Sequence, residues 1–353
     1  MKYFKVNFRT IFLVFALLGI CFFNSCKEKE IKNKKTISLV DYVDPMIGTA
    51  AHGHTFPGAT TSFGMVQLSP SNDFKSWDWC SGYHYTDSII KGFAHNHISG
   101  AGLSGLGDIL VIPTMGKKTT ESGSDALVDK SYRSRFSHET ESARAGYYAV
   151  TLEDYNIDVE LTATPRSGFH KYTFNTSGEA DVVIDPTHAL LETAAETAIE
   201  IVSDSEIRGY KKVSMNGGKN RYMYFSAKFS KPFKNAILTR NDKEVEALKL
   251  VDTKVKCMAT FDVQEKEQLE VVVTLSPVDY KGVEMNYEAE AKGKNFNETL
   301  KETTLGWNSI LNKVMLGNTT SDARKRTFYT AMYHSFISPN IISDVDGRYV
   351  VEG

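Results

Sequence analysis

The chain has 353 residues, a formal net charge of −2 and a hydrophobic fraction of 41%. This length is enough for one large folded domain or two modest ones, and the near-neutral charge gives no reason to propose a nucleic-acid partner. Lysine and arginine residues are scattered, without the basic stripe or aromatic platform that single-strand binding proteins use. We therefore expect a globular protein that binds no nucleic acid.

The N-terminus resembles a bacterial secretory signal. A basic start is followed by an apolar run over residues 11–23, which is shorter than the ~20 residues that a membrane-spanning helix needs. Phe23-Asn24-Ser25-Cys26 resembles a lipobox, in which the cysteine becomes the lipidated first residue of the mature protein. We predict a lipoprotein signal peptide over residues 1–25, lipidation at Cys26 and a charged tether over residues 26–40. The protein would then be anchored to a bacterial membrane, in the periplasm or at the cell surface; an ordinary cleaved signal with a chance cysteine is the alternative.

Residues 43–116 combine rings and glycines in loop-rich sequence with short predicted strands at 64–68 and 109–113. Flat aromatic faces with polar edges suit the alternately apolar and hydroxylated faces of a sugar, and glycine lets a backbone approach a ligand closely. An aromatic-rich core with glycine turns fits the composition equally well. The ring-bearing residues of the centre are Trp77, Trp79, Tyr83, His84, Tyr85, His95 and His97.

From about residue 147 to residue 275 the hydrophobic pattern has a period of two, which is typical of strands. No helix-period segments intervene on the scale that a parallel fold needs. The sequence therefore predicts a mainly β fold, an antiparallel β-sandwich. The predicted strands are 147–153, 157–163, 169–174, 182–185, 221–229, 236–239, 255–262 and 269–275.

The pattern then changes to steps of three or four residues, which is typical of one apolar face of a helix. Gly317-Asn318 predicts the end of this helix. Ser321 with Asp322 can cap a second helix, and Pro339 ends it. The residues of the first apolar face are Phe296, Leu300, Thr304, Trp307, Leu311 and Val314.

Several ordered blocks of sequence resemble the N-terminal part of glycoside hydrolase family 92. They are VDPMIGTAAHGHTFPGATTSFGMVQLSP, WDWCSGYHY, GFAHNHISGAG, LGDILVIPTMG, SHETESARAGYYAVTL and RTFYTAMYHSFISPNIISDVDGRY. The resemblance extends over nearly everything after residue 40. It implies a sandwich domain over residues 41–284, a helical linker over 285–317 and the start of an (α/α) barrel over 318–353.

The same resemblance implies an inverting, calcium-dependent exo-α-mannosidase, with α-1,2 as the expected linkage, that acts on mannose-containing glycans. In this family the barrel supplies the catalytic carboxylates and the calcium ligands. Almost all of that barrel is absent here, so we expect both sets of residues outside this chain and expect the chain alone to be inactive. The alternatives are a non-catalytic glycan-binding surface lipoprotein and an inactive truncated product.

The resemblance also suggests which residues of this chain meet the substrate. Gly53, His54, Trp77 and Asp78 are expected at the rim of the mannose pocket, and Asp344 is expected to hydrogen-bond sugar hydroxyl groups. Trp79 would share the strand face of Trp77 if this segment were extended, but it fits a core position equally well.

Two pairs of histidines could be taken for metal ligands. His52 and His54, and likewise His95 and His97, are separated by one residue, so each pair would point to one side of a strand. No acidic or cysteine ligand lies at a familiar spacing beside either pair. We therefore expect hydrogen bonding rather than metal binding. Calcium, which takes oxygen ligands, is not expected to bind imidazoles.

The segment from Gly100 to Gly105 matches the dinucleotide fingerprint GxGxxG. The fingerprint carries meaning only between a buried strand and the N-terminus of a helix. Polar sequence precedes it here and all-β sequence follows, so we interpret it as structural turns. Of the four cysteines, Cys80 and Cys257 would remain in the folded domain, and we predict two buried free thiols.

Overall fold

Antiparallel strands make up most of the chain between residues 59 and 276. The computed structural model describes residues 38–215 and 219–350; the predicted signal peptide, Cys26 and most of the predicted tether lie outside the described residues. The strands β1 to β19 are, in order, Ala59–Thr60, Gln67–Ser71, Ile89–Ile90, Gly92–Ala94, Leu110–Met115, Ser134–Arg135, Ser142–Arg144, Tyr147–Leu152, Ile157–Ala163, Ser167–Phe174, Gly178–Asp185, Ala194–Ser203, Glu206–Ser214, Asn220–Phe229, Asn235–Arg240, Lys243–Val245, Lys249–Asp252, Val255–Val263 and Gln268–Ser276.

The strands form two large sheets that share one hydrophobic core. The first sheet has the order β1-β2-β4-β5-β11-β18-β15-β16, the second has the order β17-β12-β13-β14-β19-β10-β9-β8-β7, and β3 pairs with β6 in a small ribbon. The core joins Val111 and Val182 of the first sheet to Leu161, Phe225 and Val273 of the second. Strand β8 shows why the two sheets pack face to face. Its residues alternate between buried and partly buried, so one face of the strand lies in the core and the other faces outwards. The predicted β-sandwich is confirmed.

The hairpin of β12 and β13 is absent from the sequence prediction. In β13 the inward-facing positions are Ile207, Gly209, Lys211 and Val213, so only two of the four carry aliphatic side chains. The buried Lys211 ammonium lies 2.7 Å from the carboxylate of Asp108, which is also fully buried. Because a paired charge and a glycine occupy core positions, the apolar period of two is interrupted.

Three helices follow the sandwich: α1 (Tyr280–Glu290), α2 (Phe296–Leu311) and α3 (Asp322–Ser335). Asn295 and Glu298 form a reciprocal capping box at the start of α2. The predicted cap of α3 is also present, because the Ser321 side chain accepts from the Arg324 N–H. Helix α2 ends before the predicted stop at Gly317, and the sequence prediction missed α1 as a separate helix. None of the helices in the described part of the chain is both long and apolar enough to span a bilayer.

A second hydrophobic core fixes the loop at residues 43–63 against the helices. The buried Trp307 indole of α2 donates a 2.7 Å hydrogen bond to the Thr60 carbonyl. Just after α3, the Phe336 carbonyl accepts from the Phe63 N–H at 2.8 Å, and His334 of α3 donates to the Ile47 carbonyl at 3.1 Å. The loop that carries the first histidine pair is therefore held at both ends.

Candidate functional site

The first histidine pair lies in a sharply folded loop. The Gly53 N–H bonds the Ala50 carbonyl, and the Thr55 N–H bonds the Gly48 carbonyl, each at 3.2 Å. A Cβ atom at Gly53 would lie 2.1 Å from the Gly48 carbonyl oxygen, so only glycine fits there. His54 follows with a φ of 55°, an uncommon conformation for a residue with a side chain. The loop thus holds His54 in place by backbone geometry.

A short 3₁₀ turn, Trp77–Trp79, brings the other predicted residues to this loop. The Trp77 indole ring lies edge-on to the His54 imidazole at 4.1 Å between centroids, and its N–H donates to the Gly102 carbonyl at 2.8 Å. Trp77 remains 56% exposed. Because the segment is a turn and not a strand, Trp79 faces elsewhere: its ring stacks on His84 at 4.2 Å.

Asp78 lies between the two histidines. The Asp78 Oδ1 atom is 2.6 Å from His52 Nδ1 and 3.5 Å from His54 Nε2. The hydrogen bond from His52 holds the pKa of the Asp78 carboxyl below its ordinary value. His54 is buried, whereas the His52 side chain is 75% exposed. Four of the predicted residues therefore come together, and His52 joins them.

The fold adds a carboxylate that the sequence spacing did not indicate. An acidic side chain does accompany the first histidine pair, although Asp78 is distant from His52 in the sequence. His52, His54 and Asp78 present ligand atoms within 4.8 Å of one another. The i, i+2 spacing indicated the pair, but only the fold brings the carboxylate to it.

Asp344 is not part of this cluster. Its carboxylate is buried and accepts hydrogen bonds from the Ser276 hydroxyl at 2.9 Å and from the Asn286 amide at 2.8 Å. Burial raises the pKa of this carboxyl. These contacts tie the segment after α3 to α1 and to the end of β19. The expected contact of Asp344 with sugar hydroxyl groups stays a prediction.

The glycine-rich segment forms loop structure, as expected. No helix begins between residues 95 and 107. Gly100 and Gly102 both have positive φ, and the Gly100 N–H donates to the His54 carbonyl at 2.6 Å. A Cβ atom at Gly102 would lie 3.0 Å from the Trp77 ring. These glycines therefore let the loop pass beneath Trp77 and His54, which the motif itself did not predict.

The remaining structural assignments agree with the fold. Cys80 and Cys257 are buried free thiols. Arg166 pairs with Glu290 of α1 at 2.6 Å and donates to the Ser343 carbonyl at 2.7 Å. This arginine links the sandwich to the helices.

The comparisons with known proteins agree on a family. The model of the glycosyl hydrolase family 92 N-terminal domain matches residues 42–276, and the model of the family 92 catalytic domain matches residues 282–353. A family 92 α-mannosidase of Bacteroides thetaiotaomicron, solved in complex with mannoimidazole, is 35% identical with a TM-score of 0.84, over 88% of this chain and 42% of that one.

Two further relatives are more distant. A family 92 inverting mannosidase of the same organism is 24% identical with a TM-score of 0.77, over 89% of this chain and 42% of that one, a likeness that shows the fold alone. A protein of Arthroderma benhamiae, called an uncharacterized secreted glycosidase, is 25% identical over an alignment of 334 residues, and the match covers 85% of this chain and 42% of that one. The chain thus spans 42% of the length of these relatives. Because the N-terminal family model matches most of its residues, the chain belongs to glycosyl hydrolase family 92.

Proposed function

We propose that this chain is the N-terminal part of an inverting, calcium-dependent exo-α-mannosidase, with α-1,2-linked mannose as the expected substrate. The observation that carries the proposal is the cluster of His54, Trp77 and Asp78 around the Gly53 turn. It combines an exposed aromatic face with polar groups fixed by the backbone, which is the combination that sugar recognition needs.

In this proposal the cluster binds the sugar on the leaving-group side of the scissile bond. The Trp77 ring is held in one orientation by its bond to Gly102 and by its contact with His54. A fixed ring loses little entropy on binding, so it can align a poor leaving group at low cost. Asp78 and His52 offer an acceptor and a donor at the edge of this ring.

The acid and base of the reaction lie outside this cluster in the proposal. Inverting hydrolysis needs two carboxyl groups far enough apart to admit a water molecule, and the contacts of His52 and His54 include one carboxylate, Asp78. We place the general acid and the general base in the part of the family's catalytic domain that this chain does not cover.

Calcium does not fit the cluster of histidine and acidic side chains found in the described part of the chain. Calcium takes six to eight oxygen ligands. Within residues 38–215 and 219–350 the one group of three or more histidine, cysteine or acidic side chains at metal-binding distance is His52, His54 and Asp78, and two of its ligands are nitrogen. We therefore place the calcium ligands in the same uncovered part of the catalytic domain.

The first test asks whether this chain alone is an enzyme. We expect no hydrolysis of aryl α-mannosides by the purified chain, with or without calcium, because Asp78 has no second carboxyl partner in its cluster. Release of the aryl alcohol, followed by absorbance, measures this. Calcium-dependent turnover that EDTA abolishes would contradict the assignment of the acid and base to the uncovered part.

The second test concerns Trp77 in the complete enzyme, in which the remainder of a family 92 catalytic domain follows this chain. Trp77→Ala should lower kcat/KM for a mannose disaccharide by about ten- to a hundredfold. The loss should be smaller for an activated aryl mannoside, whose leaving group needs less alignment. Trp79→Ala is the matched control, because its ring packs on His84 and should affect both substrates equally. An equal loss for both substrates in Trp77→Ala would contradict the subsite.

A non-catalytic glycan-binding surface protein is the second candidate, and the exposure of Trp77 favours it to the same degree. Assays of the protein that includes the remainder of the catalytic domain distinguish the two candidates. A glycan-binding protein would bind mannosides, as measured by calorimetry, but would hydrolyse no α-mannoside, whereas the enzyme would do both.

We also propose that the protein is a lipoprotein of the periplasm or the cell surface, attached to the membrane through Cys26. The support is the lipobox-like sequence Phe23-Asn24-Ser25-Cys26 together with the secreted relative. Stable attachment needs more than one acyl chain, which a bacterial lipoprotein N-terminus supplies. Detergent partitioning of the wild type but not of Cys26→Ala checks this proposal, and a wild-type protein found entirely in the aqueous phase would reject it.

A further inference from the structure

The cluster of His52, His54 and Asp78 has the composition of a transition-metal site. We propose that these three side chains bind one zinc ion, through His52 Nδ1, His54 Nε2 and an oxygen of Asp78. This inference goes beyond the mannoside chemistry proposed above and rests on the ligand atoms alone. It uses the Asp78 and His52 groups that the mannoside proposal offers to the sugar, so a bound zinc ion and those two polar sugar contacts would exclude each other.

The distances suit zinc. Zinc binds imidazole nitrogen and carboxylate oxygen at ~2.0–2.2 Å, so two ligand atoms at a tetrahedral angle lie about 3.4 Å apart. His54 Nε2 and Asp78 Oδ1 already lie 3.5 Å apart. His52 Nδ1 is closer, at 2.6 Å from the same oxygen, because a hydrogen bond joins them. His52 must therefore move away by nearly 1 Å and carry its proton on Nε2, and its 75% exposure leaves it free to do so.

A second observation points to a ligand at this place. The Nε2 atom of His54 is buried and makes no hydrogen bond, while the whole residue is 6% exposed. A buried polar atom without a partner is costly. The His54 imidazole is packed edge-on to the Trp77 ring at 4.1 Å between centroids, which holds the nitrogen away from solvent. A metal ion bound beside Asp78 would satisfy it.

The site would be open on one side. Three protein ligands leave a fourth position of tetrahedral zinc for water or another small ligand. The exposed His52 side chain marks the direction of solvent, and the Trp77 ring lies beside it at 5.6 Å between centroids. An ion at this point would be coordinated by the His52 and Asp78 side chains beside the Trp77 ring.

The other histidines near carboxylates lack this arrangement. His138 Nδ1 lies 2.6 Å from Glu141, the same distance as in the His52–Asp78 pair. However, the Glu141 carboxylate also accepts hydrogen bonds from Tyr83 and Tyr148, and the second nitrogen of His138 bonds the Tyr85 carbonyl. His138 is therefore a matched control: it has the same contact without a second imidazole or a free nitrogen.

The experiment titrates zinc chloride into the untagged full chain by isothermal titration calorimetry, with cobalt(II) absorption as a second readout. We expect one ion per chain. Asp78→Asn, His52→Ala and His54→Gln should each weaken binding by about tenfold or more, while His138→Gln should bind as the wild type does. Calcium chloride should give no binding signal at this site. The cobalt spectrum should show nitrogen and oxygen ligands without a thiolate charge-transfer band.

The outcomes separate clearly. Loss of the zinc signal in Asp78→Asn and His52→Ala, with unchanged melting temperatures, supports the site. The exposed His52 and the partly exposed Asp78 keep the test valid if His54→Gln fails to fold. No zinc binding, binding that Asp78→Asn leaves unchanged, or a thiolate band would overturn it. Because no mannoside is present, failure here leaves the sugar-binding proposal standing, and a failure of the mannoside assays leaves this one standing.

Discussion

Two His-X-His pairs lie in the same glycine-rich region, and the fold gives them opposite environments. His52 and His54 lie at the rim beside a carboxylate. His95 and His97 are fully buried after β4. The His97 Nδ1–H donates to the Gln67 carbonyl at 2.8 Å, and its Nε2 lies 3.3 Å from the Ser71 hydroxyl.

His95 of the second pair belongs to a chain of hydrogen bonds that runs in one direction. The His95 Nδ1–H donates to the Ile109 carbonyl at 2.5 Å, so the neutral ring accepts at Nε2. There it accepts from the His170 Nε2–H at 3.0 Å, and His170 Nδ1 accepts from the Tyr172 hydroxyl at 2.9 Å. The His95 and His170 rings each donate one hydrogen bond and accept one, so these two imidazoles are neutral. The same sequence spacing therefore produces polar groups open to a ligand in one place and closed structural bonds in the other.

The largest expected effect that separates the two pairs is acid lability of the core. Burial lowers the pKa of His95 and of His97 to about 4 and lowers that of His170 well below its ordinary value. In the unfolded chain these groups titrate near 6.5. The unfolded state therefore binds more protons between pH 6.5 and pH 4, so stability is complete above that window and is lost as the pH falls through it. We expect a loss of roughly 2 kcal/mol for each such histidine between pH 7 and pH 5.

Urea unfolding at pH 7, 6 and 5 measures this loss. His97→Gln removes one titrating group but keeps a donor for the Gln67 carbonyl, so its stability should fall less steeply with pH. A free energy of unfolding that is equal at pH 7 and pH 5, or a pH dependence that His97→Gln leaves unchanged, would contradict the prediction that the buried histidines make the fold acid-labile.

An intermediate effect is expected when one histidine of each pair is truncated. His97→Ala leaves the Gln67 carbonyl and the Ser71 hydroxyl without this partner and opens a cavity beside Phe56, whose ring lies 5.3 Å away between centroids. We expect a loss of about 2–4 kcal/mol. His52→Ala removes an exposed side chain and should change stability by no more than about 0.5 kcal/mol.

Chemical denaturation of both variants at pH 7 makes this comparison. A His52→Ala variant as unstable as His97→Ala would mean that the His52–Asp78 contact is structural, and the rim would then be no more available to a ligand than the core is.

The sequence predicted the sandwich because most of its strands expose one face and bury the other. It failed where core positions are polar. Lys211 and Asp108 are fully buried as an ion pair, and a pairing between residues so far apart in the chain leaves no local pattern. Helix α1 was missed for a related reason: it buries Gly282, Val283 and Asn286, of which only Val283 is a large apolar residue.

The candidate site was predicted only in part. Gly53, His54, Trp77 and Asp78 were named from the family resemblance, and the structure brings them together. Asp344 was named on the same basis; its carboxylate bonds Ser276 and Asn286, away from this cluster, and its contact with sugar hydroxyl groups stays a prediction. The closeness of His52 to Asp78 depends on how two loops pack, which neither periodicity nor motif spacing encodes. Long-range contacts between loops are the part of a site that a single sequence hides.

The smallest expected effect belongs to Trp77. Its ring is 56% exposed, and its fixed contacts are one hydrogen bond to Gly102 and the edge of His54. Trp77→Ala should therefore lower the free energy of unfolding by only about 1 kcal/mol. Phe56→Ala is the matched core variant: its ring is fully buried against His97, and its loss should cost about 3–5 kcal/mol. Thermal and urea denaturation of the two variants decide the matter. If Trp77→Ala lowered the free energy of unfolding as much as Phe56→Ala does, the indole ring would be part of the core packing. Its face would then not be available to contact a sugar.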